Sequence, residues 1–112
     1  MPKLAQRAYS RQSLEALELL AQMIRAGRIE RKIGTKEMAD RAGISQPLLR
    51  RIEKADPGCS IGAVFEVAAI AGVPLFGSDS ERLHAQRSAL TEKLTLLPQR
   101  VRKPKRVLRD DF

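Results

Sequence analysis

Residues 35–54, TKEMADRAGISQPLLRRIEK, limit the fold of this chain more than any other stretch. Small and apolar side chains recur there at helical spacing: Met38, Ala39 and Ala42, then Leu49 and Ile52. The run is broken once, at Gly43-Ile44-Ser45. The pattern predicts two short helices joined by a tight turn. Gly43 suits the bend because glycine reaches positive φ without a Cβ clash. Thr35 is placed to cap the first of the two, which runs to Ala42. Ser45 caps the second, and Pro47 fits its first turn, where an N–H has no partner inside the helix. With Met38, Ala39, Ala42, Ile44, Leu49 and Ile52 turned inward, Gln46, Pro47, Arg50 and Arg51 are left together on the outer face.

Three more helices are expected around this pair. Leu14, Leu17, Leu20, Ala21 and Ile24 form the stripe of a helix that starts at an N-cap near Ser13 and continues to about Lys32, with Gly34 just past its end. The second short helix ends near Lys54, and Asp56-Pro57-Gly58 reads as a turn. Ser60 then caps a helix carrying Ile61, Val64, Phe65, Val67, Ala68 and Ile70. It is apolar around much of its circumference, so it should be covered on more than one side. Gly72-Val73-Pro74 ends it. A last helix spans Ser80 to Leu96, with Leu83, Leu90, Leu94 and Leu97 on one stripe, and Pro98 stops it. That stripe either packs on the chain's own helices or meets a partner. The expected organisation is an arm over 1–12, a helical domain over 13–77, a C-terminal helix over 78–97 and a basic tail over 98–112.

Aromatic residues make up only 4% of the 112 residues, so the core must be built from Leu, Ile, Ala and Val, which suits packed helices. The net charge of +8 divides unevenly, +5 over residues 1–56, −1 over 57–97 and +4 over 98–112. A polyanionic partner is the simplest implication, and solubility alone is the plainer one. Cys59 is the only cysteine, which rules out an internal disulfide and reads as a packing or turn residue. With His84 as the only histidine there is no zinc ligand set. His84 has no nucleophile or carboxylate at catalytic spacing, and Gly27 and Gly34 do not fit a phosphate loop. Neither an enzyme nor a metal or other cofactor is expected. No stretch approaches the ~18 apolar residues of a membrane span, and no apolar run of a signal peptide is visible, so a cytoplasmic chain is expected.

The outer face of the second short helix has a definite chemistry. Gln46 can bond adenine through N6 and N7, Arg50 and Arg51 can each bond guanine through O6 and N7, and Pro47 can offer apolar contact to a thymine methyl. Thr35 and Lys36, at the start of the first short helix, are placed to meet phosphate, with Ser45 and Lys54 at the ends of the second. The competing reading is a helical hairpin whose charged face is only solvated.

These residues closely resemble the helix-turn-helix of the Xre/Cro family, the lambda-repressor-like domains, from about Leu17 to Phe76. The resemblance implies an all-α, five-helix lambda-repressor-like DNA-binding domain with a basic C-terminal tail. It also implies a homodimer that binds a palindromic operator in double-stranded DNA and represses transcription. The family's R…RIE pattern implies that Arg28 pairs with Glu53; Glu53 follows the inward Ile52 and needs a partner if partly covered. The family often has Gln where this chain has Thr35, and Gly where it has Ala55, which implies a different exit from the second short helix. The blocks LRRIEKADPG, IGAVFEVAAIAGVPLF and LLPQRVRKPKRVLRDDF are similar to HipB-type antitoxins. That narrower resemblance implies control of the protein's own operon and a HipA-family kinase toxin as partner. A stand-alone Xre-type regulator, phage-type or metabolic, is the alternative. Arg100, Arg102, Lys103 and the terminal Phe112 are the candidate partner-binding residues of the tail. The tail itself reads as a phosphate-tracking arm, a toxin-docking strand or a solvated run.

Overall fold

The computed structural model describes residues 8–104, which are all-α. The helices are α1 (Arg11–Glu30), α2 (Thr35–Ala42), α3 (Gln46–Glu53), α4 (Ile61–Ile70) and α5 (Ser80–Leu96). Apart from an isolated bridge between Leu75 and Ser78, no strand pairing occurs among the described residues. The chain divides into two compact units, one up to Ser78 with α1 to α4, and one from Asp79 with α5.

α1 starts a turn earlier than the expected cap at Ser13. Ser10 is the N-cap, and its Oγ accepts from the Ser13 N–H at 3.1 Å. Two serines three residues apart compete for one role, and the earlier one adds a turn while using the later one's N–H. The helix ends at Glu30, and the left-handed residue that turns the chain is Lys32 (φ 57) rather than Gly34. Gly34 is instead the N-cap of α2, and Thr35 is that helix's first residue, not its cap. The reversal is drawn forward by Ile33, whose N–H donates to the Arg28 carbonyl at 3.1 Å and whose side chain is buried in the core.

Ile24 from α1, Met38 and Ala39 from α2, Leu49 and Ile52 from α3, and Val67 and Ala68 from α4 make the core, closed by Ile33, Ala71 and Val73 from the connections. Burying each larger side chain contributes about 1.5–3 kcal/mol. α2 packs on α3 and α4, and α1 packs on the same two helices. Small residues permit the close crossings. Ala39 is buried in the core. A Cβ built on Gly27 would overlap the Ala71 carbonyl oxygen, so α1 touches the backbone at the end of α4.

Two expectations about burial fail at helix ends. Leu14 is 44% exposed, whereas farther along the α1 stripe Leu20 packs against the core and Ile24 lies in it. Ile61, in the first turn of α4, is 69% exposed. α4 packs on α1 and α2: Val67 and Ala68 are buried, Val64, Phe65 and Ile70 are half-buried, and Glu66 and Ala69 face outward.

In the second unit, Asp79 caps α5 by accepting from the Arg82 N–H at 2.9 Å. α5 spans the residues its pattern predicts, yet none of them is buried. Leu83 is half-buried, whereas Leu90, Leu94 and Leu97 are exposed. No helix among the described residues is long and apolar enough to cross a membrane.

Candidate functional site

The site is built on the turn between α2 and α3. Gly43 closes α2 in the left-handed conformation (φ 69, ψ 33), and the next N–H, that of Ile44, donates to the Ala39 carbonyl at 2.9 Å. This satisfies a carbonyl at the helix end and reverses the chain within three residues. Ile44 then packs on the core, and Ser45 caps α3 by accepting from the Leu48 N–H at 3.2 Å. Pro47 sits in the first turn.

Leu49 and Ile52 anchor α3, at 0% and 3% exposure. Its far end is tied to α1: Arg28 Nε donates to Glu53 Oε2 at 2.7 Å and Arg28 Nη2 to Glu53 Oε1 at 3.1 Å. Arg28 Nη1 also donates to the Ile33 carbonyl at 2.9 Å, so one guanidinium joins α1, the α1–α2 connection and α3. The hydrogen bond from Arg28 to Glu53 holds the Arg28 pKa above its ordinary value, against the opposing effect of burial. A helix fixed at both ends presents its outer face at a defined angle.

Pro47, Arg50, Arg51 and Lys54 are exposed on that face at helical spacing, with Gln46 half-buried at its edge. Arg50 makes no ion pair among the described residues. Arg51, expected to project freely, does not. Its Nε donates to Asp56 Oδ2 at 2.8 Å, and Asp56 Oδ1 accepts from the Gly58 N–H at 2.8 Å. Arg51, and then the Gly58 N–H, hold the Asp56 carboxyl below the usual range. Sequence reasoning reads Asp56 only as a turn residue. The signal for its second role is a carboxylate five residues after an arginine at a helix end, followed directly by Pro-Gly.

The start of α2 offers a second polar element. Gly34 has no side chain to cap with, so no side-chain hydrogen bond covers the first N–H groups of α2. Such N–H groups, with the helix dipole behind them, favour an anionic oxygen. Thr35 is half-buried there and Lys36 is exposed. Lys36 Nζ lies 3.3 Å from Asp40 Oδ2, both well exposed, and Arg41 pairs with Glu37 on the same helix. Lys54 is the C-cap of α3. Together α2 and α3 expose Lys36, Arg50, Arg51 and Lys54, with Lys36 and Arg51 in ion pairs, and leave the start of α2 without a side-chain cap.

Other features of the first unit lack this chemistry. Cys59 is half-buried, and its burial pushes the thiol pKa up, away from nucleophilic use. An open groove of about 260 Å³, between α1 and the end of α4, is lined by Leu19, Met23, Phe65, Leu75 and Phe76 among others and has no titratable side chain. No group of three or more potential metal-ligating side chains occurs among the described residues. In the second unit Arg100, Arg102 and Lys103 are exposed, and Phe112 lies outside the described residues. No family model, curated protein or solved structure matches this chain.

Proposed function

We propose that α2 and α3 act as a helix-turn-helix of the lambda-repressor-like type, placing the outer face of α3 in the major groove of double-stranded DNA, and that the protein represses transcription from its operator. One observation carries this reading: α3 is only eight residues long, and while Leu49 and Ile52 are sealed in the core, Pro47, Arg50, Arg51 and Lys54 stand exposed on its other side. Arg50 and Arg51 read guanine, Gln46 reads adenine and Pro47 meets a thymine methyl. Thr35, Lys36, Ser45 and Lys54 hold phosphates and set the register. No catalysis and no cofactor is needed.

A helix of eight residues is about 12 Å long and spans only a few base pairs. The protein therefore works as a homodimer on a palindromic site, with its two α3 helices ~34–36 Å apart. The exposed Leu90, Leu94 and Leu97 of α5 support association with a second copy or a partner. In the fuller form of the reading, the protein is a HipB-type antitoxin that binds a HipA-family kinase toxin and regulates its own operon. That form rests on the resemblance of residues 49–58, 61–76 and 96–112. The tail residues Arg100, Arg102, Lys103 and Phe112 would dock the kinase.

Selection of bound duplexes from a random pool tests the DNA reading. Enrichment of an inverted repeat is expected, and equal retention of all sequences would end it. Purification from the native host tests the partner: a co-purifying kinase supports the antitoxin, and operator binding with no kinase leaves a stand-alone regulator.

A further inference from the structure

Arg51 and Asp56 are joined through both main chain and side chain. The Asp56 N–H donates to the Arg51 carbonyl at 3.0 Å, closing the end of α3. Arg51 Nε then donates to Asp56 Oδ2 at 2.8 Å. The carboxylate cannot swing away easily, because its other oxygen holds the Gly58 N–H at 2.8 Å. A Cβ built on Gly58 would lie 3.6 Å from Arg51 Nη2, so the guanidinium lies over the space this glycine leaves open. The Arg51 side chain nevertheless keeps 53% of its surface open.

We propose that Asp56 is a positioning residue that orients the Arg51 guanidinium for end-on, bidentate recognition of a guanine. This rests on the DNA reading above and deepens it. A guanidinium has five N–H donors in a rigid fork. With Nε–H held by Asp56, the two Nη groups retain the other four, and their shared edge matches the O6 and N7 acceptors of guanine. An unrestrained arginine loses rotamer freedom when it binds. Here much of that ordering occurs on folding, because the turn already fixes the fork. An exposed ion pair adds little to stability, so orientation is the larger consequence of this contact.

The test compares Asp56→Asn with Arg51→Ala by selection and sequencing of bound duplexes. The introduced carboxamide keeps an oxygen for the Gly58 N–H but presents an NH2 group where Arg51 needs an acceptor. At the base pair where Arg51→Ala removes a guanine preference, Asp56→Asn should lower that preference about two- to tenfold. Affinity for unrelated duplex DNA should stay level or rise, since a negative charge has been removed. A merely structural role would weaken all sequences together. Wild-type guanine preference in Asp56→Asn, with loss in Arg51→Ala, overturns the proposal. If the wild-type protein has no base preference at all, the DNA reading has failed first, and the two failures are distinct. Should Asp56→Asn not fold, the Arg51 Nε–H resonance of the wild-type protein decides. It should exchange more slowly than that of Arg50 in free protein and persist unbroadened in the operator complex; its loss on binding would show that Asp56 lets go.

Discussion

Arg28 and Glu53 form a two-bond fork across α1 and α3, Nε to Oε2 at 2.7 Å and Nη2 to Oε1 at 3.1 Å, with side chains only 12% and 11% exposed. Removing either partner leaves the other mostly covered and uncompensated. Arg28→Ala and Glu53→Ala should each destabilise by about 2–4 kcal/mol in denaturant unfolding. The double variant Arg28→Ala with Glu53→Ala should lose much less than the sum of the two. Additive losses would show that the pair does not act as a unit.

Gly27 and Gly62 should respond to alanine with opposite signs. A Cβ at Gly27 runs into the Ala71 carbonyl oxygen, and backbone cannot yield as a side-chain tip can. Gly27→Ala should cost about 2–3 kcal/mol despite the better helix propensity of alanine. Gly62, inside α4, has nothing within 4 Å of its built Cβ. Gly62→Ala should stabilise by up to about 1 kcal/mol. Thermal melts of the two variants check both signs.

Ala55 leaves α3 in the left-handed region, at φ 62. A Cβ is disfavoured there by about 1–2 kcal/mol. Ala55→Gly should therefore raise stability by about 1 kcal/mol, offset partly by the added freedom of the unfolded chain. An unchanged or lower melting temperature would show that neighbouring packing holds Ala55 in place.

The Asp56 carboxyl is held low by Arg51 and by the Gly58 N–H. A carboxyl whose folded pKa is depressed adds stability above its unfolded value, near pH ~4, and loses it as pH falls through the folded value. Wild type should exceed Asp56→Asn in melting temperature at neutral pH, by a small margin because the pair is exposed. The difference should vanish at strongly acidic pH. A gap that is constant over the whole range would assign it to shape rather than charge.

Lys36 lies beside the start of α2, paired loosely with Asp40 at 3.3 Å. Lys36→Ala should weaken binding to every duplex alike and reduce the salt slope by about one ion. Asp40→Asn should do the reverse, since it frees Lys36 for phosphate. Base preference should be the same in both variants when bound duplexes are sequenced.

Periodic apolar residues and local punctuation are enough to read the helices. α5 begins and ends where its leucine spacing and the Pro98 stop imply. Met38, Ala39, Leu49 and Ile52 are buried, and Gly43 takes positive φ, because those features answer to local geometry and to one apolar face. Where two equivalent local signals stand close together, the residues alone do not choose between them. Ser10 and Ser13 could each cap α1, and Thr35 and Gly34 could each begin α2; pulling Ile33 into the core settles the second choice.

The chain's own order of residues thus determined five helices, a sharp turn and a basic face on α3, since each depends on neighbours within a turn or two. Tertiary structure decided what depends on residues far apart in the chain. Gly27 matters because Ala71 lies against it, and Arg28 is neutralised by a glutamate twenty-five residues away. Arg51 lies between the two cases: Asp56 is only five residues on, and the turn after α3 folds its carboxylate back onto the guanidinium.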